Sequence, residues 1–395
     1  MTNIDVNTLK VGDSFSQPVF IDSANVFVPA NVPLKKKDIE RLSRWGIKAV
    51  STEGELVTEK KGAAKEAPVA AEKAAATAAA TAGVSFVEYM DSPVQQEVHK
   101  VYKKLIERMH AIQSDVKEQK QVENSVVNKV VDSLQDLMTK HRDDLIQLVF
   151  FALPGENAMA NDAINATILA NIIGTGMDMV AHKRTQLVTG ALLHDIGMLR
   201  VPAAIREKTG KLEAEELNKM RSHTVYSYRI VTRELGYPEE IGLAALQHHE
   251  RWDGEGYPKK LSGKQITLYP RIVAVVDAFQ AMISQRTYRD SMIGYTAMRS
   301  ILSDNGRRFD PEILRVFIRC MGIYPLGSIV LLSTSCIGRV IENNPEAPMR
   351  PRIKLIIDKD GTMLDNDTAA IIDLDKEKKV FIAKAVDPKG LVKSP

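Results

Sequence analysis

The chain has 395 residues, 44% hydrophobic and 26% charged, the profile of a globular protein with about two to three domains rather than one core. Its 53 basic and 50 acidic residues leave a net charge of only +3, which argues against a nucleic-acid polymer or an anionic membrane as the main partner. With two cysteines, Cys320 and Cys336, a disulfide framework or thiolate zinc site is not expected, and a reducing compartment is.

The start, MTNIDVNTLK, has neither the basic residues nor the apolar stretch of a signal peptide. The nearest approach to a membrane span, 164–180, is interrupted by Asn165, Asn171 and Asp178. A cytoplasmic protein without membrane insertion is therefore expected. Residues 1–58 alternate strand-like runs (SFSQPVF, NVFVPA, IKAVST) with a predicted helix, KKDIERLSRWG, and read as a small α+β module. Residues 59–83 are rich in alanine and poor in bulky apolar side chains, so they cannot bury enough surface to fold alone and read as a linker.

Residues 84–148 are charged and helical. Val98, Val101, Leu105, Ile112 and Val116 recur at steps of three and four or their sums, as one helix face would. Such a face either packs on its own domain or forms a homodimer, and a seam this short does not choose between the two. Residues 149–325 carry helix after helix, separated by turn signals such as ELGYP and DGEGYP. Beyond 325, the runs GSIVLLS, RIKLIID, AAIIDL and KVFIAKAV are strand-like, giving a small β appendage over 326–395. The fold class is thus mainly α, with an α+β module before the helices and β structure after them.

Four of the eight histidines, His194, His223, His248 and His249, fall in one part of the helical region. His194 and Asp195 are adjacent inside the apolar run GALLHDIGM, and neighbours on a helix diverge by about 100°, so they would address two points rather than chelate one. His248 and His249 form a second adjacent pair at a predicted helix end, and His223 lies near a helix start. Asp277 interrupts the apolar run RIVAVVDAFQAM, where a carboxylate needs a cation. Any one of these histidines alone is more simply a hydrogen-bonded core or surface residue, and Asp277 alone would pair with Arg271 or Arg286. Together they are the ligand types that two divalent ions require. Two such ions about 3.5–4 Å apart can bridge a phosphodiester, activate a hydroxide and stabilise the leaving oxygen.

The motifs LLHDIGM, HHERWDGEGYP, RIVAVVDAFQAM and QRTYR, with His223 between the first two, occur in the order and approximate spacing of HD-GYP domains, and the region 150–325 resembles that family. The resemblance implies an all-helical HD-type phosphohydrolase domain that hydrolyses cyclic di-GMP or a related cyclic dinucleotide. It further implies two divalent metal ions, iron or manganese, held by His194, Asp195, His223, His248, His249 and Asp277. Gly256, Tyr257 and Pro258 form the GYP tripeptide, expected at the substrate, and Arg286 and Arg289 match cations that hold ligand phosphates.

Two positions depart from the family pattern. Asp162 stands where the family has a histidine, and is expected either as an oxygen ligand or as a polar residue at a helix start. Met198 stands where the family has the lysine of HDIGK, so a positive charge beside the reacting phosphate is missing, with Arg200 as a candidate substitute. These departures keep a second function open, a sensor that binds the dinucleotide without cleaving it. A phosphohydrolase of ordinary nucleotides is the third, disfavoured by the GYP tripeptide and the paired histidines.

Overall fold

The computed structural model describes residues 2–17, 19–20, 26–28, 33–36, 38–39, 42, 49–57, 92–150, 157–284, 294–304, 307–362, 364–365 and 369–386. The predicted linker, most of the predicted helix at 36–46, Arg286 and Arg289 lie outside them. The chain is mainly α and divides into two compact units, one comprising 84–328 with 342–348, the other 1–83 with 329–341 and 349–395.

The helical unit contains α1 (Pro93–Lys117), α2 (Asn124–Lys140), α3 (Arg142–Phe150), α4 (Ala158–Gly176), α5 (Ala181–Leu193) and α6 (Ala203–Arg206). These are followed by α7 (Ala214–Arg221), α8 (His223–Arg229), α9 (Glu239–Gln247), α10 (Leu268–Ile283), α11 (Gly294–Ser303) and α12 (Pro311–Met321). Local chemistry starts several of them. Glu213 and Glu216 form a reciprocal capping box on α7, while Asp310 caps α12 through the Glu312 amide with Pro311 at its first position.

Helix α4 is the centre of this unit. Its residues from Ala163 to Gly174 are all buried, and α1, α5, α10 and α12 pack around it. This explains the apolar run at 164–180: it is a core helix, and no described helix is long and apolar enough to cross a membrane. Of its polar interruptions, Asn165 accepts at Oδ1 from the Tyr102 hydroxyl of α1 at 2.6 Å, while Asn171 Oδ1 is buried without a hydrogen-bond partner among the described residues. Val98, Tyr102, Leu105, Met109, Ile112 and Val116 of α1 are almost wholly inaccessible. These side chains of α1 are therefore covered by the chain itself, while Val101 of the predicted face stays half-buried. Aromatic packing completes the core, with Phe279 of α10 edge-on to Phe150 at 6.0 Å and to Phe317 at 5.1 Å.

The other unit holds two sheets. Strands β1 (Thr2–Asp5), β2 (Val19–Phe20), β3 (Val26–Val28) and β4 (Ala49–Thr52) pair in the order β1-β4-β2-β3 over a core that includes Phe15, Val19, Leu34, Leu42 and Val50. Strands β5 (Ile329–Leu332), β6 (Ile337–Glu342), β7 (Arg352–Ile357), β8 (Ile371–Asp373) and β9 (Ile382–Ala385) form the second sheet, in the order β8-β7-β6-β5-β9. Ile329, Ile337 and Ile357 make its small core. The sequence reading found β5, β7, β8 and β9 but not β6, whose run IGRVIE is broken by Gly338 and Arg339.

Candidate metal centre

Two small residues set the spacing of the site. Gly190 of α5 faces Ala244 of α9 so closely that a Cβ on Gly190 would come within 2.7 Å of the Ala244 methyl. One helical turn further on, His194 and His248 terminate the same two helices, and their rings meet edge to face at 5.0 Å. His194 closes α5 while Asp195 precedes a short 3-10 turn (Ile196–Arg200), so the divergence of this pair comes from the helix ending between them.

Three histidines are oriented by one device. The Nδ1 atoms of His194, His223 and His248 each lie 2.7 Å from the carbonyl three residues earlier, at Ala191, Met220 and Ala245. A carbonyl only accepts, so Nδ1 must carry the proton and each Nε2 presents a lone pair when the ring is neutral. The accepting carbonyls all lie in the last turns of α5, α7 and α9.

The Nε2 atoms converge on Asp195. Its Oδ1 lies 3.3 Å from His223 Nε2 and 3.4 Å from His248 Nε2, and its Oδ2 lies 3.7 Å from His194 Nε2. Asp277 of α10 faces the same centre, with Oδ1 3.9 Å from His194 Nε2 and Oδ2 3.9 Å from His249 Nδ1. Asp195 Oδ1, His223 Nε2 and His248 Nε2 are buried, yet none makes a well-formed hydrogen bond. Acceptors packed together without donors call for a cation. The donors form two overlapping groups, Asp195 with His223, His248 and His249, and His194 with Asp195 and Asp277. Within each group the ligand atoms lie within 4.8 Å of one another, and Asp195 belongs to both. Imidazole and carboxylate donors in this number suit divalent transition metals.

The charges respond accordingly. Burial opposes protonation of His194, but Asp195 and Asp277 overcome it and lift this imidazole to about 9. Burial likewise works against His223, and Asp195 again raises it. Burial wins at His248, and at His249, where it is reinforced by the neighbouring His248, so both are lowered. Asp195 and Asp277 are pushed up by burial but held well below the usual carboxylate range by the surrounding imidazoles.

The centre opens into a cavity of about 540 Å3 bounded by Asp195, Asp277, Met198, Tyr257 and Arg308 among others. Tyr257 lies tilted against His249 at 4.8 Å between ring centroids, and the Arg221 guanidinium lies 5.0 Å from the Tyr257 ring. Burial and the negative charge of Asp195 and Asp277 push its phenol up, so it stays a hydrogen-bond donor. Gly256 makes this position reachable, because a Cβ there would overlap the backbone of His249, Glu250 and Arg251. The buried Glu250 closes the same loop by accepting from the Lys259 and Leu261 amides at 2.6 and 3.0 Å.

The six expected ligands are thus brought together, and three other expectations change. Asp162 is in neither donor group; its Oδ1 accepts from Ser284 Oγ at 2.8 Å and from Gln280 Nε2 at 3.2 Å. These partners follow Asp277 by one and two turns of α10, which places Asp162 about 5–10 Å further along that helix axis. Arg200 is not on the cavity wall, and its guanidinium pairs with Glu234 at 3.1 Å. Arg271, the alternative partner of Asp277, is bound instead to Asp310 at 2.6 Å. Arg308, Glu250, Gly190 and Ala244 were not singled out from sequence, since none breaks a local pattern as a charge within an apolar run does.

Residues 136–313 match the HD domain model, and residues 329–394 match a KOW domain associated with HD domains. A cyclic di-GMP phosphodiesterase of Pseudomonas aeruginosa is 31% identical over 59% of this chain and 56% of its own length. A cyclic di-GMP phosphodiesterase of Thermotoga maritima is 40% identical over 34% of this chain and 37% of its own. The HD domain at 136–313 belongs to the HD-GYP family. Among solved structures, an HDGYP protein from Bdellovibrio bacteriovorus overlaps 80% of this chain and 97% of that one at 13% identity, with a TM-score of 0.47. The chain spans about half or less of the length of these two phosphodiesterases. Within the HD-GYP pattern, Asp195 of the HD pair and Tyr257 of the GYP tripeptide line one cavity, and Tyr257 lies against His249.

Proposed function

We propose that this HD-GYP protein is a metal-dependent phosphodiesterase that hydrolyses cyclic di-GMP or a related cyclic dinucleotide. The observation that carries this reading is the set of buried, donor-starved nitrogen and oxygen atoms around Asp195 at the floor of the cavity. Similarity to cyclic di-GMP phosphodiesterases from Pseudomonas and Thermotoga supports the substrate class. Two divalent ions, iron or manganese, would supply Lewis acidity for the phosphate and lower the pKa of a water. His194 and Asp277 would hold one ion, His223, His248 and His249 the other, and Asp195 would serve both. Water adds to phosphorus as one ester P–O bond breaks, and the ring opens to a linear dinucleotide. Tyr257, kept protonated, is placed to donate to a phosphate oxygen, and the Gly256–Pro258 turn fixes it there.

The test is hydrolysis of cyclic di-GMP by purified protein loaded anaerobically with ferrous iron and, separately, with manganese, with products resolved by chromatography. Linear product that disappears on chelation is expected. Intact substrate despite confirmed metal loading would reject the enzyme reading. Met198 on the cavity wall, where the family has lysine, favours the second reading, a dinucleotide sensor. Binding of the uncleaved ligand would then be the function.

A further inference from the structure

We infer that Arg308 is a phosphate-binding cation of this cavity and takes over the charge absent at Met198. This rests on the phosphodiesterase reading above and adds a substrate-binding residue to it. Arg308 and Met198 both line the cavity, together with Asp195, Asp277 and Tyr257. Arg308 makes no ion pair among the described residues, whereas Arg200, Arg271 and Arg251 are bound to Glu234, Asp310 and Asp253. A half-buried guanidinium without a carboxylate partner, beside a centre built for phosphate, is available to a ligand anion.

The backbone holds Arg308 in place. Its carbonyl accepts from the Trp252 amide at 2.9 Å, and the Arg307 carbonyl accepts from the Asp253 amide at 2.9 Å. Both amides belong to the loop that runs from His248 and His249 to the GYP turn. Two residues later, Asp310 is locked to Arg271 of α10, the helix that carries Asp277. Arg308 is therefore tied on one side to the loop of the paired histidines and on the other to the helix of the aspartate. Its side chain lies over the Phe309 ring at 5.0 Å, a flat support that limits its rotamers. A cation fixed in this way can bind a phosphate oxygen of the dinucleotide that the metal ions leave free.

The experiment compares wild type with Arg308→Ala, Arg308→Lys and the double variant Arg308→Ala/Met198→Lys, all loaded with manganese. Metal content, cyclic di-GMP affinity by calorimetry, KM and kcat are measured for each. The expected result for Arg308→Ala is unchanged metal content with affinity weakened and KM raised about ten- to a hundredfold. Partial recovery in Arg308→Lys and in the double variant is expected, because each returns a cation to the cavity wall. Wild-type values of KM and affinity in Arg308→Ala, with metal content intact, would overturn the assignment. Loss of metal or of folding in Arg308→Ala with no recovery in Arg308→Lys would also overturn it, since the residue would then be structural. Wild type that binds cyclic di-GMP in an Arg308-dependent way without cleaving it would reject the phosphodiesterase reading and leave the Arg308 assignment standing.

Discussion

At the scale of single residues, Asp195 differs from every other ligand because it belongs to both donor groups. Removing it should therefore act on the whole centre, while removing His194 leaves the group of Asp195, His223, His248 and His249 intact. Metal analysis after reconstitution with manganese should find Asp195→Ala nearly empty and His194→Ala holding about half the wild-type metal, a stoichiometric contrast typical of a shared ligand. Equal retention in the two variants would remove the bridging role. The cluster of six residues was legible only in combination: His194, Asp195 and Asp277 interrupt apolar runs, where a polar group requires a partner, while His223, His248 and His249 stood out through the HD-GYP motifs. Asp162, for which the sequence left both a ligand and a helix-start residue open, illustrates the converse. A polar residue near a helix start satisfies local rules, and only the packing of α4 on α10 brings it to Gln280 and Ser284.

At the scale of elements, the site depends on how closely α5 and α9 approach. Gly190 against Ala244 leaves no room for a methyl group, and both ligating helix ends lie one turn beyond this contact. Gly190→Ala should force the helices apart, destabilising the helical unit by about 1–3 kcal/mol, as overpacking does. The same change should weaken manganese binding, because His194 and His248 separate with their helices. Thermal melting and a metal titration check the two effects, and a stabilised variant with wild-type affinity would show that this contact does not set the spacing. Helix periodicity and turn signals were sufficient to find these elements. They could not reveal which helix faces which, because small residues such as Gly190 and Ala244 look unremarkable along a single helix.

At the scale of the molecule, both donor groups found among the described residues lie within 194–277, inside the helical unit. Metal binding to the native state should then raise the melting temperature of the helical unit alone, by linkage of about 2.7 kcal/mol when free manganese is 100 times its Kd. Calorimetry of the full chain should show one transition that moves with manganese and returns on chelation, and one that does not move. A common shift of all transitions would mean the units unfold together. The mainly α class and the β-rich ends were legible from the change of period along the chain. The grouping of 1–83 with parts of 329–395 was not, because periodicity carries no information about contacts between distant segments.

The tie between Trp252 and Arg308 has an optical consequence. The chain contains two tryptophans, and Trp252 stands with its ring 5.9 Å from the Arg271 guanidinium and its amide bonded to the residue assigned to the phosphate. Ligand binding at Arg308 should therefore change the Trp252 indole emission, since Arg308 is bonded to the Trp252 backbone and the Arg271 cation lies beside the ring. Stopped-flow fluorescence of a Trp45→Phe background would follow ligand arrival in real time, without a label and without waiting for product.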